Sequence, residues 1–452
     1  MTPAARATVA GMAALALGMG IGRFAYTPLL PALIADAGLS IEAAGDIAAA
    51  NFAGYLIGAI AATRVPPAWR RIAFATAIAA SILTTLLMAG LRAPVALGLT
   101  RAVAGVASAF VLVQGSSIIL DVLARCRRPE LFAWLYAGVG AGIALTAVIV
   151  EGMSRAHASG SATWIALGGA SLLLAVAALR LRLPDAVERA PAPVMASGPA
   201  APGPAAAEPT AADRSGPDAA VPAAAAAAAD QSDPDAAVPA SHRSGPDAAA
   251  SATDPSGTAA VSDVPQARAR ARALRLLTLA YGGLGFGYVI TATFLVVIVR
   301  SRPDWKAWEM AVWFVVGAAA APSNLLWLWV ARRVGAWNAM TGAFLMQAIG
   351  VMAAVAGAHL AWVFVGAAFL GGTIVAITAM GLSSARELAT GDSNRVLGTM
   401  TAAFGIGQIA GPAAGGRLAE ATGSFMAPSV MAAVVLVASA VLTTLAARAR
   451  RA

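Results

Sequence analysis

Long apolar windows alternate along this chain with short arginine-rich clusters. A helix needs about 20 apolar residues to cross a hydrocarbon core, and such windows recur twelve times, at roughly 9–34, 43–63, 72–91, 94–120, 131–152, 163–181, 274–299, 308–330, 338–357, 360–385, 396–419 and 426–447. The pattern predicts an all-α polytopic membrane protein with twelve transmembrane helices. Between the sixth and seventh windows it stops. From 183 to 273 the chain is mostly Ala, Pro, Asp, Ser and Gly, with "RSGPDAA" at 214–220 and 243–249 and "PDAAVPA" at 217–223 and 234–240. With hardly any aromatic or large aliphatic side chains, such a segment does not bury enough surface to offset the entropy of ordering. A disordered cytoplasmic linker is expected there, between an N-terminal six-helix bundle (1–182) and a C-terminal one (274–452).

Composition excludes a soluble globular domain: 59% of the residues are hydrophobic, 12% are charged, and the mean hydropathy is +0.75. The first apolar segment, from about Thr8 to Ile34, leads into more of its kind and reads as a retained span rather than a cleaved signal peptide. One cysteine, Cys126, excludes an intramolecular disulfide. It lies in a basic loop with no metal-ligand or catalytic set around it.

The net charge of +9 does not point to nucleic acid, because the basic residues lie between apolar windows without aromatic interleaving or a basic helical face. Topology explains them better. With the N-terminus inside, seventeen arginines, including Arg6, Arg70, Arg71, Arg127, Arg128, Arg332, Arg333 and Arg451, fall on the cytoplasmic side. Arg92, Arg155, Arg300, Arg302, Lys306 and Arg417 fall on the other. That asymmetry predicts cytoplasmic termini and a cytoplasmic linker.

The halves repeat. "GMGIGRFAYTPLL" aligns with "GGLGFGYVITATFL" at an offset of 265, which sets Arg23 opposite Tyr288. At similar offsets Gly105 and Gly115 face Gly371 and Gly381, and Gly138 and Gly140 face Gly405 and Gly407. Six spans, a linker and six more form a parallel repeat about an axis along the membrane normal.

Windows 3, 9 and 12, and window 6 up to Leu179, hold no ionisable residue and read as lipid-facing scaffold. Two arginines, Arg23 and Arg101, lie deep in windows 1 and 4, where a charge costs several kcal/mol unless it faces protein or water. On an ideal helix Gly18, Gly22 and Ala25 form a packing stripe, and Met19, Arg23, Tyr26 and Thr27 form the stripe beside it. Arg23, Asn51 and Arg101 lie at similar depth, about 10 to 17 Å from the outer end, and are expected to share a cavity wall. Tyr288, Thr291, Asn324 and Gln408 complete the candidate solute site. Structural roles stand beside these: Arg23 tying span 1 to carbonyls or to Asp46, Arg101 holding helices together, Asn51 as an interhelical bond, and Tyr26, Tyr288 and Thr291 as packing.

The eleven carboxylates outside the linker all lie in loops or near window ends. Deep cations without deep anions point to an anionic or zwitterionic solute by charge complementarity. Asp46 and Asp121, at the cavity edges, are the candidate proton-coupling sites. His157, His242 and His359 lie in loops or at a window edge, with no nucleophile–base or metal set and no nucleotide-binding loop. No enzymatic activity, metal, cofactor or ATP use is therefore expected.

"RAVAGVAS" in window 4 (Arg101, Gly105) and "GIGQIAGPAAGG" in window 11 (Gly407, Gly411, Pro412, Gly415, Gly416) are similar to motifs of the major facilitator superfamily. The second resembles a glycine–proline motif better known from the fifth helix of antiporters, whereas window 5 here has "GVGAG" and no proline. After window 2, Arg64, Arg70 and Arg71 supply basic residues of the superfamily's loop motif without its acid, and "ARRVG" after window 8 has Arg332 where that acid would stand. "LGMGIGRFAYTPLLP", "AANFAGYLIGA" and "GGLGFGYVITATF" resemble the YbfB/YjiJ-like branch over both bundles. The resemblance implies a bacterial inner-membrane secondary transporter of two six-helix bundles, working by alternating access. The expected activity is movement of a small organic solute, with export favoured. A broad-specificity efflux pump for neutral hydrophobic compounds and a non-transporting membrane sensor are the alternatives.

Overall fold

A computed structural model describes residues 1–180, 259–389 and 393–451. Most of the expected linker therefore lies outside the described residues. Every apolar window becomes a helix. Eleven are long and apolar enough to cross a membrane: Pro3–Ala37, Ile41–Ala62, Pro67–Leu87, Pro94–Arg125, Pro129–Arg155, Gly160–Leu179, Gln266–Arg300, Pro303–Val334, Ala336–Ala356, Leu360–Leu388 and Met426–Ala449. The remaining one, Ser393–Thr422, has 30 residues and is less apolar because glycine and polar residues crowd it. These are spans 1 to 12 in chain order, with Ser393–Thr422 as span 11. The helix of span 7 starts at Ala259, inside the stretch expected as linker. From 266 to 275 it reads "QARARARALR", and Ala and Arg are both strong helix formers.

Central and peripheral spans separate only in part, because central span 8 is 33% buried in its most apolar stretch and peripheral span 9 is 50% buried. In the most apolar stretch of each span, 78% of residues are buried in spans 1 and 7, against 28% in span 3 and 33% in span 6. Leu83, Leu86, Leu172, Leu173, Val434 and Val441 of spans 3, 6 and 12 are exposed, as side chains meant for lipid must be.

The bundles share close backbone contacts at equivalent places. A Cβ on Gly105 would strike the carbonyl of Asn51, joining spans 4 and 2. One on Gly371 would strike the carbonyl of Val316, joining spans 10 and 8. Asn51 and Val316 are 265 residues apart, the offset of the repeat. Small residues let these helices approach closely, the usual basis of packing where lipid removes the hydrophobic driving force.

Three seams join the bundles. Thr27 Oγ1 of span 1 donates to Ala292 O of span 7 at 2.7 Å, again a pair at the repeat offset, so this bond lies where the repeat axis passes. Gly140 of span 5 packs on Gly317 and Ala321 of span 8. Gly45 of span 2 meets Pro412 and Gly416 of span 11. At the end opposite the chain termini, Arg417 bridges Glu42 (Nε–Oε1 3.1 Å) and Asp46 (Nη2–Oδ1 3.1 Å). There Glu420 also accepts the Ile41 N–H at 2.8 Å, a carboxylate at the N-terminus of span 2.

Candidate functional site

Span 1 is not one α-helix. Pro3–Leu15 is α-helical, Ala16–Ile21 is a π-helical turn, and Tyr26–Ala37 resumes the α-helix. Gly22 N–H reaches back five residues to Leu17 O (2.8 Å), and Phe24 N–H to Met19 O (3.2 Å). The wide turn follows from the local sequence. Gly18 and Gly20 press on Val111 and Gly142, Gly22 on Ser81, and Pro28 has no N–H to continue the ladder toward residue 24. A π-turn rotates everything that follows it, so the ideal stripe of Met19, Arg23, Tyr26 and Thr27 does not form. Met19 and Arg23 face a central cavity, while Tyr26 and Thr27 turn away from its wall.

Arg101 of span 4 resolves the break. Its Nη1 donates to Gly22 O at 2.8 Å and its Nη2 to Arg23 O at 2.5 Å, carbonyls that the disrupted turn leaves in need of donors. Asn51 of span 2 donates from Nδ2 to Arg101 O at 2.8 Å. Asn51, Arg101 and the backbone of residues 22 and 23 thus form one buried chain of bonds from span 2 through span 4 to span 1. The expected shared wall of Arg23, Asn51 and Arg101 is corrected accordingly. Asn51 and Arg101 do not line the cavity: Asn51 Nδ2 and both Arg101 Nη groups are taken up by backbone carbonyls, and Arg101 Nε is buried without a partner among the described residues.

Arg23 differs. It is 4% exposed, it lines the cavity, and its Nε and Nη2 have no hydrogen-bond partner among the described residues. Its guanidinium carbon lies 3.9 Å from the Tyr55 ring centroid, 4.8 Å from Phe52 and 5.6 Å from Phe24. Those ring faces hold the cation by its charge and leave N–H groups for something else.

The cavity has a volume of about 180 Å³. Its wall draws on spans 1, 2, 4, 5, 7, 8, 10 and 11 and on none of spans 3, 6, 9 and 12. Of the remaining candidates, Tyr288, Asn324 and Gln408 line it and Thr291 does not. Gln408 Nε2 donates to the Tyr288 hydroxyl, and its Oε1 is buried without a partner among the described residues. Tyr26 donates to Ala44 O at 2.8 Å, tying span 1 to span 2. Asp46 sits in the Arg417 bridge. Asp121 lies 3.7 Å from Arg70 at the end bearing the termini.

Residue-level reading of the sequence missed the aromatic wall: Phe24, Tyr55, Tyr136, Tyr281, Trp313 and Phe404. An aromatic ring in an apolar window looks the same whether it meets lipid, core or cavity. The available signal was their position in the glycine-rich central windows.

The sequence profile of the family described as uncharacterised MFS-type transporter YbfB matches residues 15–207 and 249–444. No curated protein sequence matches the chain. Solved structures that share its fold include two of NupG. The nucleoside transporter NupG superposes with a TM-score of 0.63 at 12% identity over 100% of both chains. A point mutant of NupG gives 0.65 at 12% identity, over 99% of this chain and 100% of that one. A helical body, a cavity walled by the eight central spans and a profile match running through both bundles agree with one another: the chain belongs to the YbfB-type family of the major facilitator superfamily, multi-pass membrane transporters.

Proposed function

We propose that this protein moves a small organic anion across the bacterial inner membrane by alternating access, binding it in the central cavity with its negative group on Arg23. The observation that supports this reading is the state of the Arg23 side chain: buried, on the cavity wall, with two nitrogens unpartnered among the described residues. A buried cation without a counter-ion is costly, and a carboxylate docking there would remove the cost through charge-assisted hydrogen bonds. A nucleoside, the substrate in NupG's name, is neutral and would leave the guanidinium unpaired. The mainly apolar wall favours a second reading, efflux of neutral hydrophobic compounds, which leaves Arg23 equally unexplained.

In this proposal the termini face the cytoplasm, on the positive-inside asymmetry. The Arg417 bridge then closes the outer mouth, and the halves rock about the seams between spans 1 and 7, 2 and 11, and 5 and 8. The coupling ion is a proton, carried by Asp46 rather than Asp121. Asp46 pairs across the two bundles, so its charge bears on whether they part, whereas Asp121 pairs within one bundle.

The test is flux in proteoliposomes loaded with mixed organic anions under an imposed pH gradient. Uptake or release that is lost in Arg23→Gln and not restored in Arg23→Lys is the expected result. Binding without movement under any gradient would leave a sensor rather than a transporter.

A further inference from the structure

Aromatic rings line the cavity from both bundles, and its single charge comes from one of them. On the first-bundle side stands Arg23, the one charged side chain on the wall among the described residues. On the second-bundle side three rings from spans 7 and 11 run together. Tyr281 and Phe404 have centroids 5.1 Å apart at 36°, and Phe404 and Tyr288 are 6.0 Å apart and within 6° of parallel. Gln408 holds the Tyr288 hydroxyl, and Tyr281 donates to Thr378 O at 3.4 Å. Both outer rings of this shelf are therefore tethered by their polar ends, and all three residues line the cavity. Trp313 lines the same space, 1% exposed, with its indole N–H unpartnered among the described residues.

One cation opposite a fixed shelf of aromatic faces selects for two properties in one solute. A single negative charge satisfies Arg23, and a second would find no further cation on the wall among the described residues. A flat π-face meets the shelf in the offset-stacked or edge-to-face geometry that aromatic pairs prefer, which a puckered aliphatic ring of the same size does not reproduce. Resting on the anion-transport reading above, we propose that the substrate class is a monocarboxylate built on one planar aromatic ring system. Its carboxylate docks on Arg23 and its ring lies against Phe404, Tyr281 and Tyr288.

Calorimetric titration of the purified full-length protein with four probes tests this: benzoate, benzamide as the neutral isostere, cyclohexanecarboxylate as the non-planar acid, and phthalate as the dianion. Benzoate is expected to bind tightest, by about fivefold over cyclohexanecarboxylate and by at least about tenfold over benzamide. Phthalate should be weaker than benzoate. Arg23→Gln should erase the difference between benzoate and benzamide, and Phe404→Leu the difference between benzoate and cyclohexanecarboxylate. The native series needs no variant to fold. Equal binding of benzoate and cyclohexanecarboxylate overturns the aromatic proposal and leaves anion transport standing. Equal binding of benzoate and benzamide, or of phthalate and benzoate, overturns the single-charge half. Absence of binding by all four overturns the whole. Benzoate that binds as expected yet is not moved in proteoliposomes supports ring recognition and overturns the transport reading instead.

Discussion

Spans 1 and 7 occupy equivalent places in the repeat and differ in the backbone. Span 7 runs as one helix to Arg300, whereas span 1 is broken by the π-turn at Ala16–Ile21 and the turn before Tyr26. The difference extends to their neighbours. Arg101, which supplies donors to the carbonyls of residues 22 and 23, has Ala367 as its counterpart in span 10, fully buried. An unbroken span 7 has no freed carbonyls for an arginine to cap. The charge at residue 23 and the charge at residue 101 thus belong to one device: the break aims Arg23 at the cavity, and Arg101 makes the break affordable. The second bundle, without the break, presents Tyr288 and an aromatic shelf at the corresponding place. Duplication supplied two equivalent frames, and only one of them carries a charge on the cavity wall among the described residues.

The most severe way to break this comparison is Arg101→Leu. It leaves two buried carbonyls short of charged donors, and a loss on the order of 3 kcal/mol is expected, read as a lowered Tm in detergent together with lost flux. Arg23→Gln should separate the two roles. Flux is expected to fall by about 10- to 100-fold with Tm nearly unchanged, and a collapse of Tm as large as that of Arg101→Leu would make Arg23 structural. Gly105→Ala and Gly371→Ala probe the places where the halves agree. Each new methyl meets a carbonyl of the neighbouring span, so each should cost about 1–3 kcal/mol, and the two Tm shifts should match. The smallest effect is expected from Arg417→Gln. Its ion pairs are half-exposed and worth about 0–1 kcal/mol each. The distance between spin labels on Ser40 and Ser424, in the two loops flanking that bridge, should widen while Tm barely moves.

Much of the architecture was legible because its cause is local. Window length fixed the spans, the absence of ionisable residues from their apolar stretches marked spans 3, 6 and 12 as peripheral, and the pair Gly105/Gly371 disclosed the repeat, whereas Gly138 packs on Met12 of span 1 and Gly405 on Leu56 of span 2, so that pair is not equivalent. At the site, Arg23, Tyr288, Asn324 and Gln408 were legible as polar groups at depth in central spans. Arg101 and Asn51 were legible as buried but not as to purpose. Nothing in their own windows shows that their partners are backbone carbonyls, Arg23 O lying 78 residues before Arg101 and Arg101 O lying 50 residues after Asn51. Tyr26 and Thr27 were misassigned to the cavity for a related reason: a stripe drawn at 3.6 residues per turn assumes the helix it is meant to describe.

The sequence by itself therefore determined which segments enter the membrane, which of them meet lipid, and which positions carry charge at depth, since each depends on residue type and spacing alone. Tertiary structure decided which way those charges point. Burial left the carbonyls freed in span 1 no water to bond, their donor came from span 4, and the resulting rotation turned Arg23 toward the cavity and Thr27 toward Ala292 of the other bundle.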